Sequence, residues 1–313
     1  MKYSVATLGA AVAGSSCWVA TSNRRAARWL RQMVADSRRP MLIPEHRPTP
    51  ATWPDNQITL SWLGHATTLI NFYGFWILTD PAFADRVGIQ MGLGTAGPRR
   101  LIAPALGFKD LPPIDLLLIS HAHMDHLDLP TLRRFPAKSQ VVTSRMTTDL
   151  LMKAGREQIT ELGWNESATV KNGNGELEVR AFEVKHWGRR WPSDLERGYN
   201  GYILRREGKA LLFGGDTAII DSFRGLRSQR PFEAAIMPIG AYRPWIRNHC
   251  TPEEALQMSE SAGAKHIIPV HHQTFRLSDE PMMEPIERMK TALQHEPERL
   301  GIQAVGETFI CRA

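Results

Sequence analysis

Cysteine is scarce in this chain: Cys17, Cys250 and Cys311 are the three among 313 residues, and they lie far apart. That scarcity excludes a disulfide scaffold and a thiolate metal cluster, so any metal site must be built from His, Asp and Glu. Patterns of the form GxSxG and GxxxxGK(S/T) are not apparent, which removes the usual serine-hydrolase and P-loop readings. With 42% hydrophobic and 22% charged residues, the chain is neither a disordered polyelectrolyte nor a multi-span membrane protein. Its length allows two ordinary domains or one large α/β domain with additions.

Charge is also missing from most of the chain. The formal net charge is +6 and the isoelectric point is near 9.4, but residues 1–60 hold eight Lys/Arg against three acids. The remaining body carries only +1. A nearly neutral body with a basic terminal arm excludes a nucleic-acid enzyme and points to a surface-seeking tail.

The arm has two parts. Residues 3–20 hold no charge and precede Arg24, Arg25, Arg28 and Arg31. They are long enough for one weak span, and Ala11-Val12-Ala13 equally fits the cleavage site of an export signal. The arginines after the segment favour a membrane-associated protein with its body on the cytoplasmic side, the alternative being a periplasmic protein after signal removal. From Arg38 to Pro54, five prolines in seventeen residues describe an extended linker. The division expected is an arm and linker over 1–52 and a single domain over 53–313, its regular structure beginning near Ile58.

In the body, short apolar and β-branched runs read as strands at Ile58–Leu63, Thr67–Phe72 and Phe75–Thr79, the last two joined by a Tyr73-Gly74 hairpin signal. A long Gly/Pro-rich loop (Gly88–Pro113) follows, then the mostly apolar Ile114–Ser120, the pattern of a strand buried on both faces. Further strands are expected at Leu177–Phe182, Gly201–Arg205, Ala210–Phe213, Ala234–Met237 and His266–Pro269. Helices are expected at Thr147–Ala154, Pro252–Ser261 and Pro285–His295. Thr251-Pro252-Glu253-Glu254 has an N-cap, a proline in the first turn and acids beside it, which is a helix start. The mixture predicts an α/β architecture of two packed sheets covered by helices.

Three of eleven histidines fall within six residues, His121-Ala122-His123-Met124-Asp125-His126, directly after the buried strand. In an extended segment His121 and His123 point the same way and can share one ion. Asp125 and His126, past the turn at the start of a helix, point to a neighbouring position. Other strand ends supply the remainder: His186 as the third histidine of one metal, Asp216 as a carboxylate bridging two, and His271 as the last ligand of the other. His272 should face away. Asp80, closing Phe75–Thr79, is placed to accept the free N–H of a ligand histidine. Imidazole and carboxylate ligands suit two divalent ions, zinc first and manganese second.

His121, His123, Asp125 and His126 match in full the His-x-His-x-Asp-His signature, so the chain resembles the metallo-β-lactamase-fold hydrolases. It is most similar to the branch of N-acylphosphatidylethanolamine-hydrolysing phospholipase D, through SWLGHATTLI (61–70), LTDPAF (78–83), GPRR (97–100), LPPIDLLLISHAHMDHLD (111–128), KHWGRRW (185–191), LLFGGDTA (211–218), PIGAYRPW (238–245), HCTPEEAL (249–256) and HHQTFRLSDEP (271–281). The resemblance implies an αββα sandwich of two mixed sheets flanked by helices. It implies one metal held by His121, His123, His186 and Asp216, a second by Asp125, His126, Asp216 and His271, and an extra active-site histidine at His249. Asp125 and His249 are the expected catalytic residues.

Two ions lower the pKa of a shared water, making a bridging hydroxide without a Ser or Cys nucleophile. A phosphodiester also needs its oxygens bound, for which Arg189, Arg190, Arg243 and Arg247 are candidates. Trp187, Trp191, Tyr199, Tyr242 and Trp245 are candidates for an acyl-chain channel. The expected function is a zinc-dependent phosphodiesterase acting on an amphiphilic phosphodiester or other small-molecule ester, held at a membrane surface by its arm. A lactonase or phosphorylated-sugar hydrolase is the alternative. A homodimer stays open.

Overall fold

The computed structural model describes residues 27–311 apart from positions 30, 93 and 230. The uncharged segment expected as an anchor or export signal therefore lies outside the described residues. Among the described residues, no helix is long and apolar enough to cross a membrane.

Two sheets carry the fold. In chain order the elements are helix α1 (31–38), then β1 (Ile58–Gly64), β2 (Thr67–Phe72), β3 (Phe75–Thr79), β4 (Ile89–Met91), β5 (Gly94–Ala96), β6 (Leu116–Leu118), α2 (Leu129–Leu132), β7 (Gln140–Ser144), α3 (Thr148–Lys153) and β8 (Ile159–Leu162). The second half supplies β9 (Ser167–Asn172), β10 (Gly175–Phe182), β11 (Gly201–Arg206), β12 (Lys209–Phe213), α4 (Ser222–Gly225), β13 (Phe232–Pro238), α5 (Pro252–Ala262), β14 (Ala264–Val270), α6 (Glu284–Ala292) and β15 (Thr308–Cys311). One sheet has the order β15-β1-β2-β3-β6-β7-β8, the other β14-β13-β12-β11-β10-β9, and β4-β5 is a separate hairpin. Each large sheet is mixed, with an antiparallel part that in the first sheet includes the chain's last strand, β15, paired to β1. The parallel part runs through β3, β6, β7 and β8 in one and β12, β13 and β14 in the other.

Strand periodicity decides which residues face which layer. In β12, Leu211 and Phe213 join the core between the sheets, while Ala210 and Leu212 face the helices. The inter-sheet core gathers Leu60, Trp62, Leu117, Val179, Leu204 and Ile268. On the outer face of the six-stranded sheet, Ile203 and Ala235 meet Ala255 and Met258 of α5 and Ile286 and Met289 of α6. Leu132 of α2 and Leu150 and Leu151 of α3 pack on the other sheet. This is the αββα sandwich of two mixed sheets.

Local chemistry explains the boundaries. The β2–β3 hairpin turns at Tyr73 and Gly74, both with positive φ, as a two-residue turn requires. α5 begins with a full capping box: the Thr251 side chain accepts from Glu254 N, and the Glu254 carboxylate accepts from Thr251 N. The helix expected around Asp125 and His126 starts only at Leu129. His126 N and Leu127 N both donate to His123 O, forming a tight turn, and Pro130 fits only the helix's first turn. The β4-β5 hairpin lies inside the expected loop; its residues are largely exposed and carry no alternating apolar signal.

The expected free linker is laid along the body. Leu42 exchanges backbone bonds with Leu101 and Ala103. Asp36 of α1 is buried and accepts from Arg276 Nε at 2.9 Å, while Ser37 accepts from Arg86 through its hydroxyl and from Arg99 through its carbonyl. Buried hydrogen-bonded charges fix α1 in place, which a proline count does not reveal.

Candidate metal centre

The polar cluster lies where strands end. The β1–β2 turn delivers His65, β3 ends before Asp80, β6 leads into His121 to His126, β10 leads to His186, β12 to Asp216, β13 through a loop to His249, and β14 to His271. In open α/β sheets, the carboxyl ends of parallel strands are where a crevice forms. Gly215 makes the approach of Asp216 feasible: its φ is +57°, and a Cβ there would stand 2.7 Å from Asn200 O. Non-glycine residues in the left-handed region gather at the same place, namely His65, Asp80, Ala241, His271 and Gln273, the backbone strain that functional sites tolerate.

Two donor sets converge. His123 Nδ1 lies 2.8 Å from His121 Nε2 and 3.1 Å from His186 Nε2, with Asp216 Oδ2 3.9 Å from His186 Nε2. Beside them, Asp216 Oδ2 is 3.1 Å from both His126 Nε2 and His271 Nε2, and Asp125 Oδ2 is 3.6 and 3.5 Å from the same two nitrogens. Donors arranged tetrahedrally around an ion at about 2.1 Å are themselves roughly 3.4 Å apart. The spacings of both sets, 2.8 to 3.9 Å, bracket that value, and Asp216 lies between the sets, within ligand reach of His121 and His126 and of His186 and His249.

The chemistry of the donor set fits cations. His126 Nε2, Asp216 Oδ1, His249 Nδ1 and both ring nitrogens of His271 are buried without a hydrogen bond. Each such atom costs about 1–3 kcal/mol unless something satisfies it, and the gathering of His126 Nε2, His271 Nε2 and His249 Nδ1 at 3.1, 3.1 and 3.9 Å from Asp216 Oδ2 is the mark of a ligand shell. Outer contacts set the tautomers. Asp80 Oδ2 accepts from His126 Nδ1 at 2.7 Å and from Ser120 Oγ at 2.6 Å, and Ser120 Oγ in turn accepts from His121 Nδ1 at 2.9 Å. His186 Nδ1 donates to Asn248 O at 2.9 Å. All three Nε2 lone pairs are thereby aimed inward. Asp80 thus holds the position expected of it.

Protonation in the ion-free centre follows from burial and neighbours. Burial opposes the charge of Asp216 and Asp125, yet the surrounding histidines outweigh it and hold both carboxyls well below their ordinary range. Burial pushes His121 and His186 well below the usual histidine value and brings His249 to about 4. His271, also opposed by burial, is lifted to about 9 by Asp216 and Asp125.

The sequence-selected residues are therefore brought together: His121, His123, Asp125, His126, His186, Asp216 and His271 form the two sets, and His249 Nδ1 stands 3.9 Å from Asp216 Oδ2. His272 turns away and stacks on Trp62 with ring centroids 4.4 Å apart. His65 was not singled out by its spacing, although its Nε2 is 2.9 Å from Asp125 Oδ2. Its signal was position alone, a histidine after a glycine at a strand end.

A cleft of about 510 Å³ opens over the centre. Trp187, Trp191 and Trp245 line it, as do Trp29 and Leu277, which the sequence did not suggest. Tyr199 lies against Trp164, and Tyr242 is buried and bonded to Glu284, so neither lines the cleft. The arginines separate too. Arg190 is buried and clamps Ala122 O and Leu127 O at 2.6 and 2.9 Å, bracing the histidine turn. Arg243 pairs with Glu284, and Arg247 is exposed outside the cleft. Arg189 lines the cleft while pairing with Glu196.

Facing sheets with this donor array at their ends define a metal-dependent hydrolase site. A family model for the beta-lactamase superfamily domain matches residues 75–272, and the chain belongs to that superfamily. Within it the chain falls in the branch of the N-acyl-phosphatidylethanolamine-hydrolysing phospholipases D. It is 32% identical over 246 residues to phospholipase D 1 of that type from Caenorhabditis elegans, covering 74% of this chain and 68% of the worm protein. The mitochondrial enzyme of that name from Saccharomyces cerevisiae is 30% identical over 240 residues, 74% of this chain and 50% of the yeast protein. The fold matches a metallo hydrolase of the archaeon Ignicoccus hospitalis with a TM-score of 0.61 at 18% identity, over 81% of this chain and 98% of that one.

Proposed function

We propose that this protein is a two-metal phosphodiesterase acting on amphiphilic, phospholipid-like esters of the N-acylphosphatidylethanolamine type. The observation that carries the reading is a paired donor set sharing Asp216, at the floor of a cleft walled by tryptophans, in a chain about 30% identical to phospholipases D of that specificity. Bound divalent ions, zinc in the first instance, supply an acidified water at neutral pH and neutralise charge on phosphoryl oxygens.

The chain's own groups do the remainder. Asp216 and Asp125 hold their negative charge among the histidines, and the Asp80–Ser120 relay keeps His121 and His126 in the tautomers that face inward. His249, buried with Nδ1 free of hydrogen bonds, is placed to hold a phosphoryl oxygen or assist the leaving alkoxide. Arg189 is the cleft arginine available to a non-bridging oxygen, since the guanidinium of Arg190 is committed to Ala122 and Leu127. Trp29, Trp187, Trp191 and Trp245 offer apolar walls to an acyl chain. The basic arm is proposed to bring the body to a membrane, each arginine near an anionic leaflet contributing about 1 kcal/mol.

The test is side-by-side turnover of a fluorescent N-acylphosphatidylethanolamine, a bis-aryl phosphodiester and a lactone panel by metal-loaded protein. Hydrolysis of both phosphodiesters is expected. Turnover of lactones alone would replace this reading with the lactonase one. Truncation before residue 27 should reduce vesicle binding and leave the bis-aryl activity intact; unchanged binding would move membrane contact to the body.

A further inference from the structure

The two donor sets leave two histidines of the cluster unassigned, His249 and His65, and a ring nitrogen of His65 lies within ligand reach of Asp125, His126 and His271. His65 occupies the turn between β1 and β2 with φ +52°, a conformation that a side chain with a β-carbon adopts at a cost. The turn is held from several sides. His65 N donates to Thr274 Oγ1 at 2.7 Å, and His65 O accepts from Trp62 Nε1 at 2.6 Å and from His271 N at 2.9 Å. The ring is confined as closely, with its centroid 4.2 Å from that of His271, 5.1 Å from Phe275 and 5.3 Å from His126. A fully buried, strained histidine with no freedom to swing is held for what its ring can do.

That ring reaches Asp125. Its Nε2 is 2.9 Å from Asp125 Oδ2, the oxygen that also faces His126 Nε2 and His271 Nε2. An ionised carboxylate only accepts, so Nε2 carries the hydrogen and Nδ1 is the lone pair; Nδ1 is buried without a partner. Asp125 and His271 come from loops following strands of opposite sheets, β6 and β14. His65 touches both, one through its ring and the other through its carbonyl.

We propose that His65 is a positioning residue for the second donor set: it fixes the rotamer of Asp125 and the backbone of His271, and so selectively sets the affinity of the ion held by Asp125, His126, Asp216 and His271. The other set, His121, His123 and His186, has no contact with it among the described residues. This deepens the two-metal reading above and rests on it.

The experiment is competitive titration of the chelator-stripped full-length protein with Zn²⁺ against a chromophoric chelator, repeated with Co²⁺ for its visible spectrum. Wild type should show two binding events. His65→Phe keeps the ring volume but removes the donor, and one event should weaken about 10–100-fold, the range for loss of an outer-shell partner, with the other changed less than twofold. His65→Gln retains an N–H and should recover a substantial part of the loss. Two unchanged events in His65→Phe, or both weakened equally while the apo-protein melts like wild type, would overturn the inference alone. If His65→Phe fails to fold, His65→Gln decides: one event selectively weakened supports it, and two unchanged events or equal weakening of both overturn it. A single event in wild type would overturn the two-metal reading together with it.

Discussion

The floor of the cleft and its walls are built on different principles. The floor comes from residues at strand ends, most of them buried, several fixed by an outer contact such as Asp80 on His126 or Asn248 O on His186. The walls come from segments far apart in sequence: Trp29 just before α1, Val87, Gly88 and Pro98, the 187–192 loop, Trp245 and Leu277. They are joined by side-chain ties across the fold, Arg86 and Arg99 to Ser37 and Arg276 to the buried Asp36. Chemistry is thus stored in the rigid layer, and the space offered to substrate in the adjustable one.

The sharpest way to break this contrast is at the shared carboxylate. Asp216→Ala should abolish hydrolysis, by 10³-fold or more, and lower metal content measured by elemental analysis, with the far-ultraviolet spectrum retained. His271→Ala should lose metal whereas His272→Ala keeps it, because His272 packs on Trp62 instead; the reverse result would shift the assignment of that strand end by one residue. Next in size, His249→Ala should cut kcat about 10²–10⁴-fold with metal content unchanged, as for loss of an acid-base or oxyanion partner. Turnover at the wild-type rate would return His249 to a packing role.

Effects on the walls should be smaller and of another kind. Asp36→Ala removes the buried partner of Arg276 and should cost about 1–3 kcal/mol of stability, raise KM for a long-chain substrate, and leave kcat for a small bis-aryl phosphodiester within a few-fold. Equal loss on both substrates would place α1 in the chemistry itself. The smallest effect belongs to the 187–198 loop, tied to α3 by Arg197, which bonds Asp194 and Asp149. The bond from Arg197 holds the Asp194 carboxyl down at about 2. A carboxyl depressed in the folded state contributes stability in full above its ordinary range, and that contribution is lost as pH falls from about 5 to about 2. Asp194→Asn should therefore lower the melting temperature at pH 7 slightly and flatten its decline over that interval.

The same contrast explains what could be read in advance. His121, His123, Asp125 and His126 are contiguous and follow an apolar run, so the sequence shows them at once. Asp216 and His271 share the strand-end setting, and all but one of the buried strands from β1 to β14 show in their apolar runs. β4, β5, β7, β8, β9 and β15 escaped, all but β7 being exposed in whole or in part with weak patterning. His65 escaped because its role depends on a carboxylate sixty residues away. Arg190 looked like an anion binder and is a brace, a difference decided by which carbonyls lie within reach of a guanidinium. Trp29 could not be placed, since the docking of its segment depends on Arg276.

That last dependence has a consequence in time. Asp36 and Arg276 are separated by 240 positions, so the tie cannot form until nearly the whole chain has been synthesised. At about 5–20 residues per second this is an interval of roughly 10–50 s. Throughout it α1 has been made but lacks its resting place on the body. The docking of α1, and with it the Trp29 side of the cleft, is thus the late step of assembly, an order written into the distance between one aspartate and one arginine.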